Sequence, residues 1–168
     1  MKHKLLLFYS WTIRLLTSLL PESSFSSRLR GFLYSFGIKD CGKNFQVSSG
    51  VILQNLENLS IGSNVYFAPG VVINAIDVII FEDEVMLGFN VVVVSGDHSK
   101  KDGSYRYGKS KTEKIYFKYG SWIGANSVIL KGAVVGKGTV IGANSVLKKI
   151  TADESIYFGN PIKKYEKL

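Results

Sequence analysis

A chain of 168 residues, 46% of them apolar, suits a single domain with a real core and excludes a disordered polypeptide. Seventeen glycines against three prolines indicate many tight turns. The formal net charge of +8 favours anionic partners such as phosphorylated cofactors, nucleotide-linked substrates, anionic lipid headgroups or nucleic acid, without choosing among them. The single cysteine, Cys41, rules out an intrachain disulfide, fits a reducing compartment and reads as a small core residue. His3 and His98 are the two histidines; with one cysteine they leave little material for a metal site, and none is expected.

Residues 1–20 read MKHKLLLFYSWTIRLLTSLL. A positive start before an apolar run resembles a signal peptide, but Arg14 interrupts the run and no small-x-small cleavage site follows. The run Leu5–Leu20 also falls short of the roughly 20 residues that span a bilayer. An apolar helix is predicted, with two readings open. It covers an end of the folded body, or it lies on a membrane surface with Lys2, Lys4 and Arg14 toward lipid phosphates. A second short helix is predicted over Ser26–Ser35, ended by Gly37.

From Ile38 onward, short apolar pieces alternate with Gly, Asn, Ser and Asp at regular spacing. Cut in sixes from Ile61, the chain reads IGSNVY, FAPGVV, INAIDV; after Ile79 and Ile80 come FEDEVM, LGFNVV, VVSGDH; after a gap, FKYGSW, IGANSV, ILKGAV, VGKGTV, IGANSV, LKKITA. All twelve first positions are large and apolar. The fifth positions are small or β-branched except Asp77 and Asp97, and the two IGANSV units stand 18 residues apart. A helical period would put apolar residues three and four apart, which these units do not do. Six-residue units of short strand plus turn, three to a coil, predict a parallel β-solenoid with the aliphatic residues stacked along its axis.

This pattern resembles the hexapeptide-repeat, left-handed β-helix acyltransferases over about Ile38–Lys164. The resemblance implies an all-β solenoid, a left-handed parallel β-helix, with an N-terminal helical segment (1–37), the coil (38–152) and a short C-terminal extension (153–168). Gly159-Asn160-Pro161-Ile162-Lys163 is similar to that family's closing segment. Residues 99–116 break the repeat; they carry Lys100, Lys101, Arg106, Lys109, Lys111 and Lys114 among Tyr105, Tyr107 and Tyr116. They read as a solvated loop, or as an arm over a neighbouring subunit that holds an anionic sugar. No nucleic-acid motif accompanies them, and no nucleic acid is expected as a partner.

Val91–Ser99 is an apolar strand ending on His98, and His98 resembles the catalytic histidine of galactoside- and maltose-type O-acetyltransferases in this superfamily. Acyl transfer from a thioester needs a base for the acceptor's proton, and histidine's ordinary pKa of about 6.5 suits it. Asp97 is expected to orient the imidazole, or else to cap its own turn; Asp77 and Asp97 hold equivalent unit positions and are expected to stack. The same resemblance implies that Ala125, Ala143, Lys148, Lys149 and Lys163 contact acetyl-CoA, with the lysines toward its phosphates. Where those relatives carry a substrate-binding asparagine, this chain has Ala68.

The expected activity is acetyl-CoA-dependent O-acetylation of a sugar of a bacterial surface polysaccharide or its precursor, in the cytoplasm or at the inner face of the membrane. N-acetylation of a nucleotide-linked amino sugar and a non-catalytic scaffold or membrane-binding module are the competing readings. A γ-type carbonic anhydrase of the same fold needs three histidine ligands, one more than the chain holds. The resemblance also implies a homotrimer with active sites between adjacent chains.

Overall fold

The structure, a computed structural model, describes residues 2–165, with side chains from His3 onward. The Lys2 side chain, expected to face lipid, and residues 166–168 of the C-terminal extension lie outside the described residues.

Two helices lead into the coil. α1 (Lys2–Thr17) lies across its first turn; Ser10 Oγ donates to the Leu53 carbonyl at 2.6 Å, and Ile13 is buried. The helix thus covers an end of the body, as one of the two readings had it. Among the described residues no helix is long and apolar enough to cross a membrane. α2 (Ser24–Ser35) begins two residues before the predicted Ser26 because Ser23 caps it, its Oγ accepting the Ser26 N–H at 3.1 Å. A Cβ at Gly31 would overlap the Phe45 carbonyl oxygen, so only glycine lets α2 lie directly on the coil there.

The coil has three parallel faces. The first stacks Asp40–Cys41, Leu59–Ile61, Ile79–Phe81, Ile115–Phe117 and Val134–Val135. The second stacks Gln46–Val47, Tyr66–Phe67, Met86–Leu87, Trp122–Ile123, Val140–Ile141 and Ile156–Phe158. The third stacks Ile52–Gln54, Val72–Asn74, Val92–Val94, Val128–Leu130 and Val146–Leu147. All twelve first-position residues of the repeat are buried. The fifth positions are buried too, except Asp77 and Asp97. Phe45, Phe67, Phe81 and Phe117 form an axial column with ring centroids 5.1, 5.1 and 4.5 Å apart.

Alternation of inward and outward side chains makes each strand bury one residue in two, and corners turn the chain between faces. Those corners need positive φ, which asparagine tolerates: Asn64, Asn90, Asn126 and Asn144 hold 59, 55, 59 and 57°. Coil length varies. Ile61 pairs with Phe81 twenty residues on, but Ile123 pairs with Ile141 eighteen on. The additional residues form wider corners before the first face, one of them the 3₁₀ turn Leu56–Asn58, and Ile79 rejoins the buried stack.

The interruption is placed differently from the predicted 99–116. The chain leaves the coil after Ser95 and forms an antiparallel hairpin, Gly96–His98 with Ser110–Thr112. It is back in the first face by Ile115, which pairs with Ile79. At the far end, Ile156–Phe158 still pairs in parallel with the second face, so the coil runs past 152, and Lys163–Lys164 returns antiparallel on it.

Candidate active site

Val93 is buried in the axial stack, and five residues later His98 is exposed on the hairpin, opposite Ser110. The root of that hairpin is dense. Ser95 is fully buried; its Oγ accepts the Asp77 N–H at 2.8 Å and donates to the Asp77 carbonyl at 2.9 Å. The Ser95 carbonyl accepts the Glu113 N–H at 3.1 Å, so the two ends of the excursion meet. Glu113 Oε1 then accepts from Lys131 Nζ at 2.8 Å, and that lysine side chain is only 10% exposed. The lysine's hydrogen bond and charge hold the Glu113 carboxyl below its ordinary value. Sequence reasoning missed Ser95, Glu113 and Lys131 as a unit. The available signal was the separation of Glu113 and Lys131 by eighteen residues, one coil.

Asp97 Oδ1 accepts the His98 backbone N–H at 2.8 Å, a turn cap, and the His98 ring makes no hydrogen bond among the described residues. The expected stack of Asp97 on Asp77 does not form. Asp77 Oδ1 accepts the Val78 N–H within the coil, whereas Asp97 has already left it, on the hairpin opposite Lys111.

Ala125 and Ala143 stand at successive corners between the second and third faces, with Ala143 exposed. Neither residue's N–H enters a hydrogen bond among the described residues, while the neighbouring Gly124 and Asn144 N–H groups bond to adjacent coils. Ala125 borders an apolar cavity of about 230 Å³ with Tyr66, Ala68, Met86, Phe89 and Trp122. Ala68 offers this cavity no polar side chain, so the position gives no asparagine-like handle.

Lys148 and Lys149 border a second, shallow cavity of about 380 Å³, lined also by Pro161 and Ile162 of the C-terminal segment. Lys149 Nζ donates to the Ile162 carbonyl at 3.4 Å and lies 5.7 Å from the Tyr157 ring centre. Lys163 is exposed on the returning strand. His98 borders neither cavity. A three-residue strand of the third face, roughly 10 Å long, separates the Ala125 corner from the hairpin's root. One chain therefore does not assemble His98, Ala125 and the lysines into a single pocket.

The family model for the bacterial transferase hexapeptide, six repeats, matches residues 120–149. A galactoside O-acetyltransferase of Lactococcus lactis subsp. lactis (strain IL1403) is 32% identical over 106 residues, 60% of this chain and 51% of that protein. The chain thus spans about half the length of this curated relative. A hexapeptide-repeat-containing acetyltransferase from Vibrio cholerae superposes with a TM-score of 0.86 at 20% identity, covering 99% of this chain and 92% of that one. A galactoside acetyltransferase solved in complex with coenzyme A superposes with a TM-score of 0.85 at 22% identity, covering 98% and 81%. The coil has the left-handed parallel β-helix fold of hexapeptide-repeat acetyltransferases, and the chain is similar to sugar O-acetyltransferases.

Proposed function

We propose that this hexapeptide-repeat chain is an acetyl-CoA-dependent O-acetyltransferase acting on a sugar hydroxyl of a bacterial surface polysaccharide or its precursor, in the cytoplasm. One observation carries the reading most directly: an exposed histidine sits on a hairpin whose root is tied by hydrogen bonds of the buried Ser95 and Lys131. Such a rigid root holds the imidazole within reach of a substrate while leaving its nitrogens unengaged.

In this reading His98 takes the proton of the acceptor hydroxyl as that oxygen attacks the thioester carbonyl. The C–S bond breaks, and the proton passes to the departing thiolate, giving the acetyl ester and coenzyme A. Asp97 fixes the backbone of the base through its cap on the His98 N–H. The unengaged Ala125 and Ala143 N–H groups hold the carbonyls of the pantetheine arm. Lys148, Lys149 and Lys163 face the donor's phosphates.

The separation of these groups within one chain supports a homotrimer in which the histidine of one chain faces the Ala125 corner of the next. Met86, Trp122 and Ile156 occupy one outward ladder of the second face, each exposed, and offer a flat apolar surface for such contact.

Purified protein incubated with acetyl-CoA and a panel of nucleotide sugars and oligosaccharides tests the reading. A product heavier by one acetyl group and sensitive to mild base is expected. Coenzyme A release with no acceptor in the panel, or an amide product, would overturn sugar O-acetylation.

A further inference from the structure

α1 is apolar on two sides. The inner side packs on the coil. The outer side carries Leu5, Phe8, Trp11, Leu15 and Leu16, with Leu19 just beyond the helix, all exposed; Leu16 and Leu19 are 72% and 94% exposed. The spacing of three and four puts them in one stripe, and the Phe8 and Trp11 rings stack with centroids 5.7 Å apart.

Polar bonds fix the helix's rotation. Ser10 Oγ is tied to the Leu53 carbonyl and the Tyr9 hydroxyl to the Leu33 carbonyl. The buried Arg30 guanidinium donates to the Thr17 and Leu20 carbonyls at 3.3 and 3.1 Å. Turning the stripe inward would break all of these, so it faces outward by construction.

Charge identifies what covers it. Residues 1–39 hold six basic residues and one acidic, a net +5 of the chain's +8. That acid, Glu22, is already engaged by Arg30 and by the Ser49 N–H. Lys4, Arg14 and Arg28 make no ion pair among the described residues. A second copy laid on this stripe would bring like charges together. A bilayer with anionic headgroups supplies both an apolar boundary and the missing counter-charge.

We infer that α1 seats the protein on an anionic membrane surface, lying in the plane of the interface with its outer stripe among the acyl chains. Lys4 is exposed at the N-terminal end of the stripe, and its stem is long enough to reach the phosphates. This inference stands apart from the acyl-transfer reading, because its readout is binding and not turnover.

Sedimentation of the full chain with vesicles tests it. Vesicles of phosphatidylcholine plus phosphatidylglycerol should bind at least about tenfold more protein than pure phosphatidylcholine at low salt, and added salt should weaken binding. Phe8→Glu with Leu16→Glu should reduce binding at least about tenfold. Both positions are exposed, so the circular dichroism melt should be unchanged. As a second measurement, Trp122→Phe leaves Trp11 as the sole tryptophan, and its emission should shift to the blue on anionic vesicles. Absent binding at low salt, binding that survives the double substitution, or unshifted emission would each overturn the inference. Loss of a larger assembly in the double variant, without vesicle binding, would assign the stripe to contact between copies.

Discussion

Glu113 Oε1 and Lys131 Nζ meet at 2.8 Å at the neck of the hairpin that carries His98, and their exposures are unequal, 57% against 10%. The lysine is the buried partner. Removing the carboxylate strands its ammonium, whereas removing the lysine leaves a carboxylate in water. Glu113→Gln should therefore lower the melting temperature more than Lys131→Met. The carboxyl is held below its ordinary 4.5, so the pair's contribution is present above that value and fades as pH falls through the lowered one. Melts at neutral and acid pH check both points. Equal losses, or a Glu113→Gln deficit that persists in acid, would contradict the pairing.

His98→Ala should fold as the parent does, because an exposed hairpin residue adds nothing to the axial stack. General-base catalysis is worth about 10²–10⁴-fold, and turnover should drop by that order. A variant that keeps about a third of parental turnover would remove His98 from the base role.

Lys148→Glu with Lys149→Glu should weaken acetyl-CoA binding far more than acceptor binding in calorimetry, with parental affinity falling as salt screens the phosphates. Dephospho-coenzyme A is the informative control. If it loses as much as coenzyme A does, the two lysines do not read the 3′-phosphate.

Mixed assemblies test the shared site. Co-expression of His98→Ala chains with Ala125→Trp chains, each inactive as a pure population, should recover part of the activity, since some interfaces then pair an intact histidine with an intact corner. A monomer by light scattering, or no recovery in verified mixed assemblies, would show that each chain works alone.

Burial raises the Cys41 thiol to about 11. At pH 8 the thiolate fraction is then on the order of one in a thousand. Iodoacetamide should label native protein slowly at pH 8 and rapidly in urea, read by intact mass. Fast native labelling would mean that the thiol is open to solvent.

The coil was legible because the axial stack tolerates only one kind of residue. From Ile61 to Leu147, every residue placed first in its unit lies inside, since a polar group there would be buried without a partner. The hairpin was not legible in the same way. Its strands are polar on both sides, so alternation gave no register and its edges were set too late at each end. The equivalence of Asp77 and Asp97 failed for a related reason: counting in sixes continues past Ser95, but the chain does not. Ala125 and Lys148 are named as cofactor residues by likeness to a family alone, and their separation from His98 in one chain was not visible in any spacing. The outer stripe of α1 was readable as apolar, but which of its two apolar sides the coil would take depended on Ser10 and Arg30 finding carbonyls.

The bond from the Glu113 N–H to the Ser95 carbonyl closes the coil across the excursion, whatever stands between them. Loop-closure entropy grows slowly, about 0.6 kcal/mol for each doubling of length. Residues 99–109, beyond His98 on the hairpin, can therefore be lengthened, shortened or exchanged at little thermodynamic expense to the stack above and below. In the acyl-transfer reading proposed above, a lineage carrying this coil can vary the hairpin's tip beyond His98 while inheriting the Ala125 corner unchanged. On that reading, a change of substrate requires only an edit beyond the base, and grafting foreign residues between the paired His98 and Ser110 is the laboratory equivalent of that step.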